Sequence, residues 1–190
     1  MPSNAFTDHF LSMLFDAVQL NQNATRIPIG ETGRQARVSA LNRSCVVICV
    51  SAWEAYIEEV VRESLVLMRP ISPPLGLWPA LNATVRGQLG RFNTPNTENI
   101  RLLMSDALGL QNVHHAWSWQ NCTHTQTVHR LAFAMELRHQ IAHGVNPRPV
   151  VDRIYANQLL DFFQRLARCT DRAIRNHLVT TLGILNPWPP

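Results

Sequence analysis

The 190-residue chain carries a formal net charge of +4, is 46% hydrophobic and holds four cysteines. This is the length of one domain with enough apolar residues for a real core, and the composition is neither disordered nor membrane-like. No apolar run approaches the roughly 18 residues of a membrane span. The opening MPSNAFTDHF lacks a signal peptide's basic start and apolar stretch, so the expected location is cytoplasmic.

All 17 basic residues are arginine. A guanidinium fork suits phosphate, although a GC-rich coding bias leaves the same signature. Cys45, Cys49, Cys122 and Cys169 make no C-x-x-C pair. Cys45 and Cys49 lie four apart on a helix, where side chains run alongside one another and bridge poorly, so buried free thiols are expected.

In chain order, Phe6, Phe10, Leu14 and Val18 mark one face of a helix over Phe6–Asn23, followed by a loop from Ala24 to Gly33. Arg34–Met68 contains no glycine or proline and reads as a long helix. Leu41, Cys45, Ile48, Ala52 and Tyr56 form one apolar stripe on it. Val46, Val50, Trp53, Ile57 and Val61 form another on the opposite side, so this is expected to be the central helix. Glu54 and Glu58 lie along a seam between the stripes. Pro70, Pro73, Pro74 and Pro79 make Arg69–Pro79 an irregular connection.

A short helix is expected over Ala80–Arg91. Thr94-Pro95-Asn96-Thr97 offers a cap and an N1 proline for the next helix, which Gly109 ends. His114–Thr123 is aromatic and polar. A helix from His124 to His143 follows, then a turn over Asn146–Val151 and a last helix over Asp152–Leu178. Residues 181–190 read as a loose proline-rich tail after a single domain spanning 1–180. No strand pattern emerges, and segments of this kind make an all-α antiparallel helical bundle.

The chain's organising stretch is ELRHQIAHG, Glu136–Gly144. Gly144 sits where a left-handed cap stops a helix, and Pro147 prevents its resumption. Counted at 100° per residue, Arg138 falls in line with Leu131, Met135 and Ala142, and an arginine aimed at a core needs a partner or a chemical task. Glu54 or Glu58 is the expected partner; the plainer assignment pairs Glu58 with Arg62, four residues on. His139 and His143 share the last helical turn. A histidine can move the protons of a phosphoryl transfer on RNA, and a guanidinium can hold the phosphate and absorb the charge that builds up in the transition state. The plainer reading of the two histidines is a capping residue beside a surface one.

Two other constellations compete with this one. His139 and His143 have the H-x-x-x-H spacing of two zinc ligands, but Gln140 stands where a zincin has its glutamate base, which points to no metal. Trp117 and Trp119 could stack bases, though such tryptophans more often cover a core edge.

ELRHQIAHG resembles the R-x4-H signature of HEPN domains, including the polar residue after the arginine. SAWEAYIEEVVRESL at Ser51–Leu65 and FNTPNTENIRLLMSDALGL at Phe92–Leu110, followed by Trp117 or Trp119, resemble the corresponding segments of the RiboL-PSP-HEPN group. The three segments occur in order and extend the resemblance over Leu41–Phe163. It implies a HEPN-like bundle that homodimerises through its motif helices. It implies a metal-independent endoribonuclease, without cofactor, that acts on RNA, leaves 2′,3′-cyclic phosphate ends and serves as a toxin or phage-defence component, with an antitoxin or other neighbour-encoded protein as partner. By the same carry-over Arg138 and His143 are catalytic, His139 supports them, and Glu54 matches an acidic position. Some HEPN toxins carry a tyrosine two residues after the motif histidine, where they are modified; here that residue is Val145. Other members are inactive and only bind RNA or scaffold complexes, which is the alternative reading.

Overall fold

The computed structural model describes residues 2–70, 75–145 and 150–188. A π-helical opening, Ala5–Phe10, runs into α1 (Leu11–Arg26). It is followed by α2 (Arg34–Leu67), α3 (Leu77–Leu89), α4 (Thr97–Leu108), a 3-10 turn (Val113–Ala116), α5 (His124–Ala142) and α6 (Arg153–Thr180). Among the described residues there is no strand, only an isolated antiparallel bridge between Trp119 and Cys122. The all-α bundle expected from the sequence is what forms.

α2 is the axis. Its 34 residues touch α1, α4, α5 and α6. The second expected stripe, Val46, Val50, Trp53, Ile57 and Val61, is inside; of the first, Cys45, Ala52 and Tyr56 are buried while Leu41 and Ile48 are half-buried. Phe10 packs on Tyr56 while Asn21 hydrogen-bonds Asn157 near the start of α6, so α1 runs antiparallel to α6. Asn42 donates to the Val151 carbonyl and Tyr56 to the Ala167 carbonyl, so α6 runs parallel to α2. Trp53 stacks on Tyr56 and meets Trp117 and Phe163 edge-on or tilted, with centroids 5.6–6.1 Å apart. The polar atoms of this aromatic centre are satisfied, as burial requires. The Trp53 indole donates to the Pro95 carbonyl (3.1 Å) and the Trp117 indole to the Thr170 hydroxyl (2.9 Å).

Several boundaries differ from those expected. α3 starts at Leu77, with Trp78 and Pro79 inside its first turn, where proline's missing N–H costs nothing. The cap of α4 is Asn96, whose side chain accepts from the Asn99 N–H (2.8 Å), so Pro95 lies before the cap and not at N1. Within 181–188 the chain folds back on the bundle: Trp188 is buried in the core and the Ile184 N–H bonds to the Leu178 carbonyl. The turn expected over Asn146–Val151 falls largely outside the described residues, as do Pro73 and Pro74. Cys45, Cys49 and Cys122 are buried free thiols, and Cys169 is half-buried and also free.

Candidate active site

α5 begins on a capping box. The Thr123 hydroxyl accepts from the Gln126 N–H, and the Gln126 side chain accepts from the Thr123 N–H. It ends on a Schellman turn: the Gly144 N–H bonds to the Ile141 carbonyl and the Val145 N–H to the Gln140 carbonyl. Gly144 adopts φ +71°, a left-handed conformation that strains any residue with a Cβ. His143 is thereby fixed as the cap residue, at the negative end of the helix.

Thr127, Leu131, Ala134 and Leu137 form the buried face of α5. Arg138 is therefore not in the middle of the apolar stripe, contrary to the expectation from the helical wheel. Met135 is half-buried and Ala142 exposed, so the true stripe passes through Leu137, and Arg138 is turned about 100° from it onto the flank, half-buried. His139 and His143 are exposed, with ring centroids 4.3 Å apart. Gln140 donates to the Glu136 carboxylate (2.8 Å) and so ties down the polar side of the last turn.

Of the two acids, Glu54 is the one whose carboxyl feels the Arg138 charge, and it does so without an ion pair. Glu58 pairs with Arg62 (2.6 Å), which Glu59 also reaches (3.1 Å). Burial pushes the Glu54 carboxyl up, the Arg138 guanidinium holds it down, and Glu58 pushes it up again. Among the described residues Arg138 has no carboxylate within the 4.0 Å of an ion pair, so its N–H edges are not engaged by an acid. The four residues singled out from the sequence thus divide into three on the last turns of α5 and Glu54 on the facing side of α2.

Two grooves on α2 were not foreseen from the sequence, and the second of them reaches α5. One, of about 530 Å³, is lined by Asp8, His9, Ser12, Glu54, Glu58 and Arg62 among others. The other, of about 550 Å³, places Arg43, Ser44, Val47 and Ile48 against Ile141. Arg43, Val47, Ser51, Glu54, Glu58 and Arg62 recur every three or four residues, so a third, mostly polar stripe on α2 was the available signal. Trp117 is fully buried and Trp119 packs on Phe162 (5.9 Å), so these tryptophans cover the core. Among the described residues no three His, Cys, Asp or Glu side chains are grouped to hold a metal ion. No described helix is long and apolar enough to cross a membrane.

The family model of RiboL-PSP-HEPN matches residues 14–176, from the first turn of α1 to the last turns of α6. This is wider than the stretch over which the sequence showed its resemblance. HEPN domains are generally ribonucleases or RNA-binding modules. No curated protein and no solved structure matches the chain. With the all-helical bundle and the motif at the end of α5, that match assigns the chain to the RiboL-PSP-HEPN family.

Proposed function

We propose that this chain is a metal-independent endoribonuclease and that Arg138, His139 and His143 are its catalytic residues, with Glu54 positioning Arg138. The observation that carries the reading is the end of α5, where a half-buried guanidinium without an ion-pair partner among the described residues adjoins two solvent-facing imidazoles 4.3 Å apart. One neutral imidazole takes the proton of the RNA 2′-hydroxyl as that oxygen attacks the adjacent phosphorus. The 5′-oxygen leaves with a proton from an imidazolium, and a 2′,3′-cyclic phosphate results. The guanidinium binds the non-bridging oxygens as charge builds up on them.

His139 and His143 lie so close on one turn that a second copy of the chain, docked through its own α5, would more readily supply acid and base from opposite sides. A homodimer through the motif helices is therefore part of this reading. So is a role as a toxin or phage-defence component, controlled by an antitoxin or another protein encoded beside it. Val145 leaves no tyrosine for modification two residues after His143.

The test is cleavage of mixed single-stranded RNA in excess chelator. Cyclic phosphate ends are expected, with DNA untouched because it lacks the nucleophile. His143→Ala should abolish cleavage while the protein stays folded. Undiminished cleavage by purified His143→Ala would remove the motif as the active site. RNA binding without cleavage by the wild type would leave the scaffold reading in its place.

A further inference from the structure

We propose that the corner where Phe6 meets α6 is a second anion site, built for a phosphoryl group. A cavity of about 360 Å³ there is lined by Pro2, Phe6, Arg168, Asp171, Arg172 and Arg175. The three arginines stand at i, i+4 and i+7, on one face of α6. Like charges at this spacing repel. Arg37, Arg62, Arg101 and Arg165 each reach a carboxylate, whereas Arg168, Arg172 and Arg175 have none within 4.0 Å and no side-chain hydrogen bond among the described residues. Arg175 is half-buried in this unpaired state.

The other lining residues explain why the arginines stay free. The Asp171 carboxylate is buried and turned inward. It accepts from the Ser3 N–H (3.1 and 3.3 Å) and the Ser3 hydroxyl, with the Tyr56 hydroxyl 3.4 Å away. Arg168 lies over the Phe6 ring, 5.9 Å from its centroid, a contact that uses none of its N–H groups. Three guanidiniums that fork onto oxygens, beside one carboxylate already occupied, select a phosphate monoester or diester over a neutral ligand.

The site does not depend on the ribonuclease reading, because it sits away from the motif. Ile141 packs beside Ser44, whereas Phe6 packs on Tyr56, and α2 rises roughly 18 Å between those two residues. The phosphoryl group could belong to an RNA strand or to a small free ligand.

The experiment compares the full chain with Arg168→Gln/Arg172→Gln/Arg175→Gln. The probes are inorganic phosphate, read as a rise in Tm over chloride at matched ionic strength, and a labelled 2′-O-methyl oligoribonucleotide, which cannot be cleaved at its 2′ position. Phosphate should raise the Tm of the wild type and not of the variant. If an RNA strand is the ligand, the variant should also bind the oligonucleotide about tenfold or more weakly, with a salt slope shallower by about 0.7 for each phosphate it no longer neutralises. Loss of the phosphate effect alone identifies a small ligand; loss of the oligonucleotide effect alone identifies a strand. Arg172→Lys/Arg175→Lys, which keeps charge but loses the fork, should recover only part of either response. If wild type and variant respond alike to both probes, including by not responding, the site is refuted. Cleavage through His143 is measured separately, so either proposal can fail alone.

Discussion

Glu54 on α2 and Arg138 on α5 act on each other through space without closing an ion pair. Burial raises the Glu54 carboxyl above its ordinary value, so the folded state holds that proton more tightly than the unfolded chain does. The stability this gives is present at acid pH, below the unfolded value, and is lost as pH rises through the folded one. Arg138 reduces the loss. Arg138→Ala should therefore destabilise the protein more at pH 7 than at pH 4, by under about 1 kcal/mol because Glu54 is partly exposed. Glu54→Gln in the same background should remove that pH difference. Urea melts of both variants at the two pH values check this.

In single-turnover cleavage, Arg138→Ala should cost about 10²–10³ in rate, the usual loss of one transition-state donor. Arg138→Lys should recover a minor part of it, since a point charge replaces a fork. His143→Ala should abolish turnover yet change stability by no more than about 0.5 kcal/mol, because its ring is exposed and the cap is made by backbone groups. A variant as active as wild type at either position would contradict the assignment.

Both tyrosines resist ionisation. Burial pushes the Tyr155 phenol up to about 12, and burial together with Asp171 pushes Tyr56 well above its usual range. Alkaline titration followed at 295 nm should show no native step near pH 10. Folding stability should instead fall as pH climbs from about 10 past the folded values, since each raised phenol stabilises the fold only while protonated. A reversible one-tyrosine step at pH 10 in the native protein would contradict the packing around Tyr155.

Trp117→Phe should cost about 1–3 kcal/mol, through the missing hydrogen bond to Thr170 and a gap in a fully buried aromatic centre. Trp119→Phe, half-buried against Phe162, should cost clearly less. Equilibrium denaturation of the two variants ranks them. Equal losses would mean that Trp117 is not the interior residue of the pair.

Helix identity is legible in the sequence wherever periodicity is long. α2 can be placed to within one residue because no glycine or proline interrupts Arg34–Leu67 and both its apolar faces are used. The end of α5 is equally readable, since Gly144 enforces a left-handed stop. The orientation of Arg138 is not, because Ala142 and Met135 count as apolar on a wheel while Leu137 is the side chain that the core accepts. The grooves are hidden for a different reason. Each joins residues far apart in sequence, such as His9 with Glu54 or Arg43 with Ile141, and a periodicity within one helix carries no information about its neighbours. Trp188 escapes a reading by composition because a proline-rich stretch suggests a free end, whereas one large apolar side chain suffices to anchor it.

The carboxylate that holds Ser3 belongs to a residue 168 positions later. A ribosome adds about 5–20 residues per second, so during synthesis the first helical turn waits roughly ten to thirty seconds for Asp171 to be made. Until then Phe6 and Phe10 have Tyr56 to pack on but no second wall from α6. The bundle therefore closes late, and a nascent chain halted before α6 would expose an unsealed aromatic seam to any holdase present.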